Sequence, residues 1–312
     1  MLTIVKYNSN LKTQWDNLVS RSRNGTFLFF RDYLDYHSER FIDSSFLFYR
    51  KGKLEAILPG NISNNCFYSH QGLTYGGLIS SSKICTIEVI KLFELLNIEL
   101  RNIGIKEVIY KPIPLIYHQI SAQEDIYALF LNKAVKIGCN ISSTIFQRNK
   151  LRFIESRKSG IRKSIKNGVQ MTESNDFATF WKILEDNLVY KFNTNPIHSL
   201  QEIELLQYRF PKNIKLFVAI HEKVIVAGTI VYIMNNIIHI QYISANDKGK
   251  EIGALDFLFD QLINNNFQHI PIFDFGQSTE NMGNYLNENL IFQKEGFGGR
   301  GVVYEIYKYN LH

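Results

Sequence analysis

From His239 the chain reads HIQYISANDKGKEIGALDFLF: a β-strand, a glycine-containing turn, then an amphipathic helix. That order builds anion sites, because the first backbone N–H groups of a helix lack intrahelical partners and glycine lets an anion approach the main chain. Lys248, Gly249, Lys250, Glu251, Ile252, Gly253 and Ala254 would line such a site, and the two lysines add positive charge. Glu251 works against it, since a carboxylate repels phosphate. The other reading of the same residues is an ordinary strand–turn–helix connection.

Competing chemistries find no residues to carry them. The chain has no G-x-S-x-G elbow, no H-E-x-x-H pair and no Walker loop, which removes serine-hydrolase, zinc-protease and nucleoside-triphosphatase readings. Cys66, Cys85 and Cys139 are far apart and lack partners at zinc-ligand spacing, so no metal site is expected and the thiols are expected to be reduced and buried. With 35 Lys and Arg against 29 Asp and Glu the formal charge is +6, which favours phosphate-bearing partners such as nucleotides, coenzyme A or RNA. The excess is concentrated: between Arg148 and Lys166 eight basic residues face a single acid, Glu155.

The elements that must position these residues occur twice. Ser45 to Tyr49 reads as a strand, Lys51-Gly52-Lys53 as a hairpin turn and Leu54 to Pro59 as its return. A β-rich stretch from Cys66 to Ile79, a helix from Cys85 to Asn102 and a strand from Glu107 to Lys111 complete a β-β-β-α-β order. The same order recurs with the strand Lys215 to Ile220, a turn at His221-Glu222-Lys223, strands to Ile233 and from Ile237 to Ser244, a helix from Glu251 to Phe267 and a strand from Ile270 to Phe275. Corresponding features lie about 165 to 170 positions apart, which reads as duplication of one fold unit. Two domains are expected, 1–150 and 151–312, of α/β class, each a mixed, mainly antiparallel sheet flanked by helices. Between them, Gly160 to Gly168 reads as a basic helix with Ile161, Ile165 and Val169 on one face and the lysines and arginine on the other, and Asn175-Asp176 as the cap of a helix starting at Phe177. No segment has the length and polarity of a signal peptide or a spanning helix, so a cytoplasmic protein is expected.

The stretch from Lys248 resembles the coenzyme A pyrophosphate loop of GNAT acetyltransferases, a basic residue followed by G-x-G-x-G/A. Downstream, Asp274-Phe275-Gly276-Gln277-Ser278 and Lys294-x-x-Phe297-Gly298 resemble the D-F-G-R-S strand end and K-x-x-F-G segment of Fem-like acyltransferases, with Gln277 where the family has arginine. The resemblance implies two tandem GNAT-like units. It also implies that Lys294 is a cationic group at the reaction centre, with Tyr285 a candidate proton donor and Asp274 a candidate base. Acyl-CoA would then contact Tyr242, Ile243 and Ser244 as well as the glycine loop. Acceptor contacts are expected from His37 and Arg40, which resemble the same positions in envelope-polysaccharide relatives, and from Tyr75, Lys111, His118, Gln277 and Ser278.

The implied activity is N-acyl transfer, with acetyl-CoA or another acyl-CoA as donor. The acceptor would be an amino sugar, small-molecule or nucleotide- or lipid-linked, in cell-envelope polysaccharide synthesis. A second reading takes aminoacyl-tRNA as donor to a peptidoglycan precursor, because Gly160 to Gly168 resembles the RKxIKNG stretch of Fem-like enzymes and would meet RNA phosphates. A third is a non-catalytic binding protein. Ser80-Ser81-Ser82-Lys83 before the first unit's helix lacks any glycine pattern for pyrophosphate, so that half is expected to be structural or to bind the acceptor.

Overall fold

The computed structural model describes residues 1–192 and 194–311, apart from the side chains of His37, Lys191 and Phe192. The chain forms two compact units that are not contiguous halves: one comprises 1–141, 279–285 and 303–312, the other 142–278 and 286–302. Each is a sheet packed against helices. Among the described residues no helix is long and apolar enough to cross a membrane.

In the first unit, strands Leu2–Lys6, Phe46–Arg50, Lys53–Leu58 and Ile79–Ser80 lie side by side in that order, all antiparallel. The Phe46–Arg50 hairpin turns through Lys51 and Gly52, both at positive φ, the geometry that matches strand twist. A second set runs Asn61–Ser63, Cys66–Tyr68, Glu107–Tyr110 and the end of Arg300–Asn310, with Cys66–Tyr68 parallel to Glu107–Tyr110. Helix Thr86–Asn102 presents Val89, Leu92, Phe93, Leu96 and Leu100, spaced three and four apart, to the core around Phe48, Phe67 and Tyr110. The cysteines depart from expectation. Only Cys66 is buried, whereas Cys85, just before that helix, and Cys139 are exposed.

The second unit orders its strands as the 142–146 end of Val135–Phe146, then Ile272–Gln277, Ile237–Ala245, Val224–Ile233, Ile214–His221 and Gln170–Ser174. Neighbours are antiparallel except for Ile237–Ala245 and Ile272–Gln277, which run parallel. The hairpin between Ile214–His221 and Val224–Ile233 turns at Glu222 and Lys223, both at positive φ. Gln241 is an extra residue in its strand: Tyr242 faces Ile230, and Ile240 faces the next residue, Val231.

Two helical expectations need correction. The single helix from Glu251 to Phe267 is three pieces, Asp247–Ile252, Ala254–Gln261 and a π turn Leu262–Asn266, because Gly253 adopts a left-handed φ of 73° between the first two. The basic helix spans Glu155–Lys166 and does not bury its isoleucines, for Ile165 is 59% exposed. Its packed seam is Arg157, Gly160 and Ser164. The Arg157 guanidinium pairs with Asp256 at 2.7 Å, Gly160 lies against Gly253, and Ser164 Oγ donates to the Ile252 carbonyl at 2.7 Å. Small and polar residues carry this contact, so hydrophobic periodicity misjudged the face. The expected cap of helix Phe177–Phe192 is present, with Asp176 Oδ1 accepting from Thr179 N at 3.0 Å.

Candidate acyl-transfer site

The parallel strands Ile237–Ala245 and Ile272–Gln277 pair at Ile237↔Ile272, Ile238↔Phe273 and His239↔Asp274. Pairing ends there although both strands run on, so the last pair stands where the two part company. On the other side, the register against Val135–Phe146 shifts between Asp274 and Gln277, where Gly276 takes a φ of 74°. A bulge with glycine in the left-handed region bends the strand end and re-aims its backbone carbonyls.

Asp274 is fully buried. Its Oδ1 accepts from Ser142 Oγ, from Thr144 Oγ1 at 3.0 Å and from Gly276 N at 3.3 Å, while Oδ2 meets His239 Nδ1 at 2.8 Å. A buried carboxylate is tolerable only when so many donors replace its lost water.

Lys294 rides on helix Glu288–Gly296, whose start is capped by Asn287 Oδ1 accepting from Leu290 N at 3.1 Å. Only 3% exposed, its Nζ donates to the carbonyls of Gly276 at 2.9 Å and Gln277 at 2.7 Å. Burial pulls the ammonium down to about 8, with Asp274 pulling weakly the other way. An ammonium has three donors, and these two carbonyls are the acceptors it meets among the described residues. Three residues on, Phe297 is fully buried, stacks on Phe275 at 5.6 Å and packs on Phe259 and Phe153. The D-F-G-Q-S and K-x-x-F-G segments therefore interlock: one phenylalanine from each fills the core, and the lysine of one binds the carbonyls of the other. Beside them Ser278 Oγ is buried with no hydrogen-bond partner among the described residues.

The residues expected at the glycine loop are placed differently from one another. Asn246 caps the helix, its Oδ1 accepting from Gly249 N at 2.8 Å, and a Cβ at Gly249 would stand 2.2 Å from the Val226 carbonyl. Ile252 and Ala254 are fully buried in the core, and a Cβ at Gly253 would stand 2.6 Å from the Gly160 carbonyl. These four residues pack. Lys248 and Lys250 are solvent-exposed and pair with Glu251 at 3.3 Å and Asp247 at 2.9 Å. Ser244 and Tyr242 face helix Phe177–Phe192: Ser244 Oγ donates to Ile183 O at 3.2 Å, and Tyr242 meets Trp181 edge-on. The Tyr242 hydroxyl lies 2.6 Å from His198 Nδ1 and is pushed up to about 12 by burial. Ile243 is half-buried against the core.

Tyr285 is 56% exposed in the short strand Tyr285–Leu286 and belongs to the first unit, whereas Lys294 and Asp274 belong to the second. Within the first unit Tyr75 is buried, its ring 4.6 Å from that of Tyr117. His118 is fixed by backbone at both nitrogens, Nδ1 accepting from Ala122 N at 3.2 Å and Nε2 facing Ile113 O at 3.0 Å. Lys111 Nζ donates to the Leu73 and Gln71 carbonyls, and burial pulls it down to about 8. Arg40 is exposed, and the side chain of His37 lies outside the described residues. Sequence reasoning missed His239 and its neighbours Ser142 and Thr144. Among the described residues no group of three or more His, Cys, Asp or Glu is placed to hold a metal ion.

No protein family and no curated protein sequence matches the chain. Solved structures do. FemX superimposes with a TM-score of 0.69 at 9% identity, covering 99% of this chain and 97% of FemX. A tandem GNAT protein from the clavulanic acid biosynthesis pathway gives 0.51 at 10% identity, over 100% of this chain and 99% of that one. The chain has a double-GNAT, Fem-like fold. L-PGS from Bacillus licheniformis shares it with a TM-score of 0.58 at 13% identity, over 86% of this chain and 83% of that one. The duplicated unit read from the spacing of turns, helices and strands is thus the double-GNAT architecture.

Proposed function

We propose that the protein is an N-acyltransferase whose reaction centre lies in the second unit, between the parting strands and Lys294. One observation carries this reading: the buried Lys294 ammonium, anchored on the Gly276 and Gln277 carbonyls, stands where the strands stop pairing. Attack of an amine on an acyl carbonyl puts negative charge on oxygen, and a fixed cation away from water stabilises that charge far better than water-exposed groups do. With its pKa near 8 the lysine stays mostly protonated at neutral pH. Ser278 Oγ supplies a second, neutral donor.

The donor is acyl-CoA, running along Tyr242 to Ser244, with Lys248 and Lys250 as the exposed cations nearest the helix start; the acceptor is an amino sugar of an envelope polysaccharide. A second reading is aminoacyl transfer from tRNA, supported by helix Glu155–Lys166, whose Lys158, Arg162, Lys163 and Lys166 are all exposed. Incubating the protein with acetyl-CoA or with charged tRNA, and with a panel of free and nucleotide-linked amino sugars and peptidoglycan precursors, separates the two by which donor is consumed. Transfer from neither donor to any acceptor removes the enzymatic reading and leaves a binding protein.

A further inference from the structure

Helix Glu155–Lys166 turns Arg157, Gly160 and Ser164 inward, which leaves its aliphatic residues outside. Ile154, Ile161 and Ile165 recur at intervals of seven and four, so they share one stripe beside the packed seam. Ile154 and Ile165 are exposed, Ile161 is half-buried, and Leu151 just before the helix is 44% exposed. Lys158 lies within the same stripe, and Arg162, Lys163 and Lys166 continue round the open side, all exposed, with Arg148 and Arg152 exposed upstream. The stretch 146–166 holds one acid, Glu155, and Arg162 engages it.

We infer that this face docks on an anionic phospholipid bilayer. A helix that lies on a membrane needs aliphatic side chains to enter the acyl boundary and cations to meet the headgroup phosphates, and this face exposes both together. Cations alone would suit RNA as well, but RNA offers exposed leucine and isoleucine no apolar phase to enter. Acids on the neighbouring helices leave the positive field standing: Asp256 is engaged by Arg157, Glu251 pairs with Lys248, and Asp260 accepts from Asn264.

The start of this face is tied to the segment that carries Lys294. Ile154 N donates to the Gly296 carbonyl at 3.0 Å, and a Cβ on Gly298 would stand 2.7 Å from the Leu151 carbonyl oxygen. On the acyl-transfer reading, a docked bilayer presents its lipids beside the K-x-x-F-G segment, which singles out the lipid-linked form among the acceptors named above.

Vesicle cosedimentation tests the docking without any turnover, so its outcome is separate from that of the acyl-transfer reading. The protein should bind phosphatidylcholine vesicles that contain about a third phosphatidylglycerol and should leave pure phosphatidylcholine vesicles unbound. Reversing Arg162, Lys163 and Lys166 to Glu should weaken binding about tenfold or more. Leu151→Ser together with Ile165→Ser should weaken it about fivefold or more at an unchanged Tm, a loss that contact with RNA would not show. Ile165→Trp should add fluorescence that brominated acyl chains quench, over a constant background from the buried Trp15 and Trp181. The proposal is overturned by failure to bind the anionic vesicles, by undiminished binding of the double serine variant, or by binding to tRNA with none to vesicles.

Discussion

Gly253 and Gly160 meet backbone to backbone: a Cβ on Gly253 would stand 2.8 Å from Gly160 Cα and 2.6 Å from its carbonyl oxygen. The glycine that sequence places in a phosphate loop thus joins two helices, and its left-handed φ of 73° breaks the helical run in the process. Arg157–Asp256 and Ser164–Ile252 extend the same seam on either side.

Substitution at 253 should therefore act on folding. Gly253→Ala is expected to destabilise by roughly 2 to 5 kcal/mol, from left-handed backbone strain plus overpacking. Calorimetric unfolding should show a fall in Tm whether or not acetyl-CoA is present. An unchanged Tm would contradict the packing role.

Lys294 makes stability depend on pH with a definite sign. Its folded pKa, about 8, lies below the ordinary lysine value of 10.5, so between these values the unfolded chain binds more protons. Unfolding free energy must then rise with pH across that window. Lys111, also near 8, contributes in the same direction, so the comparison has to be made against Lys294→Met. The difference, wild type minus Lys294→Met, should increase by about 3 kcal/mol between pH 8 and 10.5 in denaturant titrations.

Gly276 carries both the bulge and the site. Gly276→Ala adds a methyl 3.2 Å from His239 Cε1 at a φ of 74°. Transfer should drop at least tenfold in kcat while donor KM changes little, because what moves is the Lys294 anchor.

Reversing Arg162, Lys163 and Lys166 to Glu separates the donors. All three are exposed on helix Glu155–Lys166, away from its Arg157, Gly160 and Ser164 seam, so folding should be unaffected. Transfer from charged tRNA should fall and lose most of its salt dependence, whereas transfer from acetyl-CoA should keep its rate.

Local chemistry made much of this architecture legible. Lys51-Gly52 and Glu222-Lys223 announce their hairpins, Asp176 its helix, and the repeated β-β-β-α-β order the duplication. Asp274 and Lys294 also stood out, because their motifs are contiguous and their phenylalanines belong to one core. His239 did not. Its link to Asp274 spans 35 residues and depends on the register of two parallel strands joined by a helical crossover, which no local pattern encodes. The seam of helix Glu155–Lys166 was hidden for a different reason. Apolar periodicity points to Ile161 and Ile165, but close approach at Gly160 and a buried ion pair at Arg157 turn the helix the other way.

Single-turnover transfer by Lys294→Met under saturating donor and acceptor tests the reaction centre most directly. The rate should fall at least a hundredfold from wild type with substrate affinities within about threefold, since the lost group acts on the oxyanion and not on ground-state binding. A variant that transfers at the wild-type rate would place the chemistry elsewhere.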